Sequence, residues 1–322
     1  MDVYKWATEA YPLIKPYVRE TPLEYSPHLS ALCRAKVYLK LENQQVTGSF
    51  KARGALNKVL GLSAAEKERG IVTASTGNHA AAVGFALAVD GAAGEIYMPE
   101  NVARLKVDNL RQYKNVTIKL HGRDPVEAEA AAKQRAADRG CVYISPYNDA
   151  MVIGGQGTVA VEILHQLPDV DEVLVPVGGG GLVSGIAGYL AKARPQARVI
   201  GCQPQNSAVM YHSVKAGKIL DMPSLPTISD GTAGGIEPGA ITFSICRQNV
   251  DDYLLLTEEE ILSALGILLK HHQLMAEGAA GLSVAALLKD TKAWRGKNVV
   301  LIICGNKMSI DLCHRALATL AG

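Results

Sequence analysis

Nine short apolar runs, each four to six residues long, recur along the chain with helix-patterned stretches between them. The runs are Val37–Leu41, Gly70–Ala74, Glu95–Met98, Val116–Leu120, Val142–Ser145, Val173–Val177, Val199–Cys202, Tyr253–Leu256 and Val299–Cys304. Helical spacing of apolar residues marks Ala80–Val89, Val102–Tyr113, Pro125–Arg139, Gly157–Gln166 and Leu182–Ala193, and a further helix is expected around residues 2–14. Short apolar strands alternating with helices predict an α/β fold of open parallel sheets, because such strands are buried on both faces by their crossover helices. The block 61–147 holds four of the runs, enough for a small α/β domain of its own. The expected organisation is therefore that small domain inserted into a larger one built from 1–60 and 148–322.

Composition narrows the function. Hydrophobic residues make up 48% and charged residues 20%, which is a globular profile. A formal net charge of +2, with both signs scattered, predicts neither nucleic-acid nor membrane-surface binding. No apolar run reaches membrane-spanning length, and Met1-Asp2-Val3-Tyr4-Lys5-Trp6 has no signal pattern. Cys33, Cys141, Cys202, Cys246, Cys304 and Cys313 form no CxxC pair and read as reduced thiols. Together these predict a cytoplasmic protein.

The chemistry concentrates at the ends of the runs. After Val37–Leu41 comes Thr47-Gly48-Ser49-Phe50-Lys51-Ala52-Arg53-Gly54, which places a lysine at a helix start beside an aromatic face. Most lysines are solvated surface residues. Backbone N–H groups and partial burial here would lower the Lys51 pKa and free its lone pair for attack on a carbonyl. After Val173–Val177 come Gly178, Gly179, Gly180, Gly181 and Leu182, opening a helical run. Four glycines let successive N–H groups converge on an anion, most often a phosphate, whereas a plain turn needs fewer. Neither the dinucleotide fingerprint nor a P-loop is present. Ser75-Thr76-Gly77-Asn78-His79 also follows a strand and opens a helix, and could receive a small carboxylate or simply cap the helix. His79 reads as a packed histidine with no acid–base role. Cys304, at the end of the last strand, is either core filler or a weak hydrogen-bonding group aimed at a ligand. Glu277 is a lone acid in an apolar helical stretch. Residues 221–240, rich in Gly and Pro, read as a long functional loop.

Taken in order, SFKARGA (49–55), STGNHA (75–80), GGQGT (154–158), VPVGGGGL (175–182), AEGAAG (276–281) and CGN (304–306) resemble the fold-type II pyridoxal-phosphate enzymes, most closely the serine/threonine dehydratase and serine racemase family. Gly234-Gly235-Ile236 through Thr242-Phe243-Ser244-Ile245-Cys246 bears a looser likeness to hydroxyectoine-utilisation type dehydratases. The resemblance implies pyridoxal 5'-phosphate as cofactor, with Lys51 forming the Schiff base and Phe50 near the ring. It further implies that Gly178–Gly181 and Leu182 hold the phosphate, Asn78 bonds the ring hydroxyl, and Cys304 faces the pyridine nitrogen. Glu277 joins the cofactor residues through its motif. Ser75, Thr76, Asn78 and His79 take the carboxylate of an amino-acid substrate, with Gln156, Ala150-Met151 and the 221–240 loop as pocket walls. A homodimer is implied as well.

The implied reaction is loss of water and then ammonia from a β-hydroxy amino acid, giving a 2-oxo acid. A neutral Cys304 leaves the cofactor a shallow electron sink, which suits elimination better than transamination. Racemisation ranks second, because the second base of the racemases is a serine and Thr76 stands there, stiffened by its methyl. A non-catalytic module for a phosphorylated ligand ranks third. Relatives bind a divalent cation through a Glu and an Asp where this chain has Gln203 and Val209, so no metal is expected there. The segment Cys304-Gly305-Asn306-Lys307 also departs from the usual SGGN.

Overall fold

The protein is described here by a computed structural model covering residues 1–320. Its strands are β1 (Leu23–Tyr25), β2 (Lys36–Lys40), β3 (Ile71–Ala74), β4 (Gly94–Met98), β5 (Val116–Leu120), β6 (Val142–Tyr143), β7 (Glu172–Pro176), β8 (Arg198–Pro204), β9 (Asp252–Leu256) and β10 (Asn298–Ile302). The helices are α1 (Val3–Ile14), α2 (Pro27–Cys33), α3 (Lys51–Leu60), α4 (Ala64–Arg69), α5 (Asn78–Asp90), α6 (Arg104–Arg111), α7 (Pro125–Arg139), α8 (Ala150–Gln166), α9 (Gly181–Ala193), α10 (Val209–Ala216), α11 (Ile241–Asn249), α12 (Glu258–His272), α13 (Gly278–Lys289) and α14 (Ile310–Ala318). Strands β1-β2-β10-β7-β8-β9 form one sheet and β5-β4-β3-β6 a second. Every pairing is parallel except β1 with β2. The expected α/β class of parallel sheets is therefore what forms.

Each of the nine expected strands is present, displaced by two residues at most. Strand β1 escaped the pattern because it is three residues long and largely exposed, too short for any periodicity. Helix α8 begins seven residues before the expected Gly157, at Ala150. Asp149 caps it, its carboxylate accepting from the N–H groups of Met151 and Val152. Glycines lower helix propensity, which masked this first half; here they let backbones meet. A Cβ at Gly155 would stand 2.5 Å from the Arg53 carbonyl oxygen, and one at Gly157 would stand 3.0 Å from that of Gly185.

The larger core fills both faces of the six-stranded sheet, where β7 and β10 are buried almost end to end. A second core joins Ala55, Leu56 and Val59 of α3 to Ala82, Val83 and Ala86 of α5 and to Ile71 of β3. Helix α3 is thus shared between the two sheets' layers.

Behind α3 lies a buried ionic cluster. Arg53 donates to Glu42 at 2.7 and 2.8 Å and to Glu162 at 2.6 and 2.9 Å. Lys40 donates to Glu162 at 2.6 Å and to the Thr21 carbonyl at 2.8 Å, while the Thr21 hydroxyl donates to Glu42. All four charged side chains are within 1% of complete burial, and two cations balance two carboxylates. Such a cluster adds little net stability over an apolar core, but removing one member strands an opposite charge. Replacing Arg53 with Met is expected to cost about 3–5 kcal/mol, measured by urea unfolding.

Candidate active site

Four strand ends, those of β2, β3, β7 and β10, and the segment 145–149 build the site, at the carboxyl edges of the parallel strands where open α/β sheets take ligands. The first comes from β2. The chain turns through Gly48, at φ +77°, where a side chain would run into Asn306. Ser49 then bridges to Gly305, and the Phe50 N–H donates to the Cys304 carbonyl at 3.2 Å. These contacts stitch the lysine loop to the end of β10 and start α3 with Lys51 as its first residue. The partly buried Lys51 Nζ donates to the Pro146 carbonyl at 2.7 Å and lies 5.3 Å from the centre of the Phe50 ring. Burial, against the pull of Glu277, lowers the pKa of this amine to about 8.

From β7 come Gly178, Gly179 and Gly180, followed by Gly181 as the first residue of α9, with Leu182 behind it in the core. Gly180 adopts φ +90°, and no side chain caps the helix, so its first-turn N–H groups face the turn without a side-chain acceptor. The Tyr147 ring lies against Gly179, where an added Cβ would stand 2.6 Å from ring atoms. A Cβ at Gly178 would meet the backbone of Thr232 at 2.9 Å. Only glycine fits this turn.

From β3 comes the Ser75–Asn78 turn. The Ser75 hydroxyl accepts from the Gly77 N–H, Thr76 is half-buried, and α5 starts at Asn78 with no side-chain cap. The Asn78 amide donates to both Glu277 oxygens, at 2.8 and 3.1 Å, leaving its own carbonyl oxygen buried and unpartnered. His79 faces inward instead, with its Nε2 beside the Thr73 hydroxyl and the Ile144 carbonyl. Burial and the nearby Lys51 charge push its pKa down to about 3, so the imidazole is neutral.

Glu277 does not lie inside a helix, as its apolar surroundings suggested, but just ahead of α13 in extended backbone. Its side chain makes no cap and turns to Asn78; Cys304 Sγ donates to it at 3.7 Å. Gly305 permits this approach, since a Cβ there would stand 2.5 Å from the Glu277 carboxylate. Burial raises the Glu277 carboxyl and pushes the Cys304 thiol well up, so the sulfur stays protonated.

Gln156 keeps its amide oxygen buried and unpartnered. It is buried between α8 and α3, with its amide against Gly54. Met151 packs its methyl on Gly61 at the end of α3. Gln203 accepts the Tyr211 N–H at 2.8 Å with its side-chain oxygen, and Val209 is buried in the core. Among the described residues, no group of three or more His, Cys, Asp or Glu side chains is placed to hold a metal ion, and no helix is long and apolar enough to cross a membrane. Pattern reading missed Pro146, Tyr147 and Asn148, which carry no motif chemistry of their own.

A lowered-pKa amine, an uncapped glycine turn at a helix N-terminus and an orphaned buried amide oxygen fit an aldehyde cofactor with a phosphate arm. The arrangement defines the class: an enzyme built around pyridoxal phosphate on parallel sheets. The chain belongs to the family described as "Pyridoxal-phosphate dependent enzyme", which matches residues 14–305. It is 40% identical to an L-threonine ammonia-lyase of Thermotoga maritima over 309 residues, covering 96% of this chain and 76% of that one. It is 33% identical to a beta-hydroxyaspartate dehydratase of Paracoccus denitrificans, covering 97% and 98%. Among solved structures, processed threonine deaminase isoform 2 of Solanum lycopersicum superposes with a TM-score of 0.94 at 29% identity, over 99% of this chain and 88% of that one. Maize serine racemase superposes with a TM-score of 0.89 at 32% identity, over 98% of each.

Only the neutral amine attacks a carbonyl. The rate at which cofactor-free protein captures pyridoxal phosphate should therefore rise with pH through a midpoint of about 8, followed by visible absorption after mixing.

Proposed function

We propose that this protein is a pyridoxal-phosphate-dependent lyase removing water and then ammonia from a β-hydroxy amino acid to give a 2-oxo acid. The observation that carries it is Lys51, an amine of lowered pKa held by the Pro146 carbonyl beside the glycine turn. The bound cofactor would supply electron withdrawal from the substrate's α-carbon. Lys51 would hold it, with the N–H groups of Gly178–Gly181 and Leu182 on the phosphate, Asn78 at the ring hydroxyl, Phe50 near the ring and Cys304 at the ring nitrogen. Lys51 Nζ accepts the α-proton and later returns a proton. The open N-terminus of α5, with Ser75 and Thr76, orients the substrate carboxylate. The protonated thiol of Cys304 brings no charge to the ring nitrogen, and a shallow sink favours expelling the β-hydroxyl over transamination.

Racemisation is the weaker second reading, supported by the likeness to a serine racemase. It needs a base on the opposite face, where the Thr76 hydroxyl carries a methyl that restricts its rotamer. The protein is also proposed to be a homodimer in the cytoplasm; its six cysteines, all unpaired, suit a reducing compartment.

The test is keto-acid release by the holoprotein from serine, threonine, hydroxyaspartate, phenylserine and larger analogues. Lys51→Ala should lower turnover of the best substrate by on the order of 10²–10⁴ or more; unchanged release would sink the reading. With L-serine, pyruvate should outpace D-serine on chiral analysis. Gln203 and Val209 offer no charged oxygen to a hard cation, so chelation should leave turnover intact and added Mg²⁺ should restore nothing.

A further inference from the structure

The loop leading into α11 is anchored by Ile236, buried in the larger core, by the Gly234 N–H on the Ser207 hydroxyl at 3.1 Å, and by the polar contacts of Glu237. Glu237 sits in Gly234-Gly235-Ile236-Glu237-Pro238-Gly239, where a Cβ on any of the three glycines would meet nothing within 4 Å. Gly234 and Gly239 are at φ +123° and +74°. Ile236 is the one side chain of the stretch packed in the core, and the glycine backbone around it loses much entropy on ordering. Glu237 supplies the contacts that tie the stretch to the segment beside the glycine turn. One carboxylate oxygen accepts from Asn148 Nδ2 at 2.7 Å, and the other accepts from Lys133 Nζ at 2.9 Å. Its backbone N–H donates to the Tyr147 hydroxyl at 3.0 Å. Asn148 also accepts the Ile241 N–H at 2.8 Å, which sets the start of α11.

The partners of this knot lead to the glycine turn. Tyr147 is the residue whose ring walls Gly179, and its Cα would be 3.0 Å from a Cβ on Gly181. Lys133 comes from α7, beside the four-stranded sheet, and also pairs with Glu129 at 2.7 Å. The Lys133–Glu237 pair is part-exposed, 41% and 26% by side chain, so its charge attraction alone is worth little. The hydrogen bonds to Asn148 and Tyr147 add two further part-buried contacts.

We propose that Glu237 is a positioning residue for the cofactor. Through Asn148 and Tyr147 it presses the aromatic ring onto Gly179 and fixes the tetraglycine turn in its phosphate-gripping shape, while Lys133 closes the clamp from the other sheet's layer. The inference rests on the reading of that turn as the cofactor's phosphate site. Preorganising a turn removes an ordering cost from binding, so releasing Glu237 should weaken the cofactor grip rather than the fold.

The experiment titrates the full chain, stripped of cofactor, with pyridoxal phosphate alone, reading the visible band, and melts the cofactor-free proteins in parallel. Glu237→Ala should raise the Kd about tenfold or more, the worth of a lost charged hydrogen bond. Glu237→Gln, whose amide oxygen still accepts from Asn148, should recover most of that. Lys133→Met should raise it about fivefold at most. Melting temperatures should stay close to wild type. Should Glu237→Ala fail to fold, Tyr147→Phe removes only the acceptor of the Glu237 N–H and should cost about fivefold. Wild-type affinity in Glu237→Ala or in Tyr147→Phe, or weakening that merely follows a fall in melting temperature, overturns the inference. Failure of the wild-type protein to take up the cofactor at all would instead overturn the functional reading.

Discussion

A guanidinium that never meets water holds the helix on which the reactive amine rides. Arg53 lies two residues past Lys51 on α3 and is gripped by Glu42 from the end of β2 and Glu162 from α8. In a low-dielectric interior these bonds are directional and costly to misalign, so they fix how far α3 can turn or slide. Lys40 and Thr21 complete the cluster and leave no charge unbalanced. A buried pair of carboxylates with one cation missing would be expensive, which is why the cluster acts as a single part. The position of Lys51 Nζ is thus set from behind, by groups that have no access to the cleft.

From the front, the site is assembled by backbone more than by side chains. The Phe50 N–H on the Cys304 carbonyl, the Ser49–Gly305 bridge and the Glu277 N–H on the Gly305 carbonyl bind three distant segments into one wall. The crossing segment from Ser145 to Asp149 meets nearly everything else. Its Pro146 carbonyl holds the lysine, its Tyr147 ring covers the glycine turn, Asn148 ties the 221–240 loop, and Asp149 starts α8. Five consecutive residues therefore relate the amine to the turn.

Local pattern carried a good deal of this. Strand positions, the lysine at a helix start and the glycine turn at another are short-range features, and each lies where periodicity put it. Glu277 was misplaced because an acid before a run of Gly and Ala looks, in a linear string, like an acid within a helix. The ionic cluster was invisible for a different reason. Arg53 and Glu162 are 109 positions apart, and no spacing rule joins them. Asn78 and Glu277 are 199 apart. The place of Gln156, with its amide against Gly54 where α8 meets α3, is likewise a long-range contact that no local spacing encodes.

The glycine turn offers only main-chain donors, and amides do not titrate in any range a cell visits. The lysine, by contrast, changes charge near neutrality. In the proposed arrangement the two anchors of one ligand therefore answer differently to acid: mild acidification would silence the nitrogen while the peptide cradle kept its hold on the anion. Below a pH of about 8 the free amine loses its reactivity toward an aldehyde, while the main-chain donors keep theirs toward an anion.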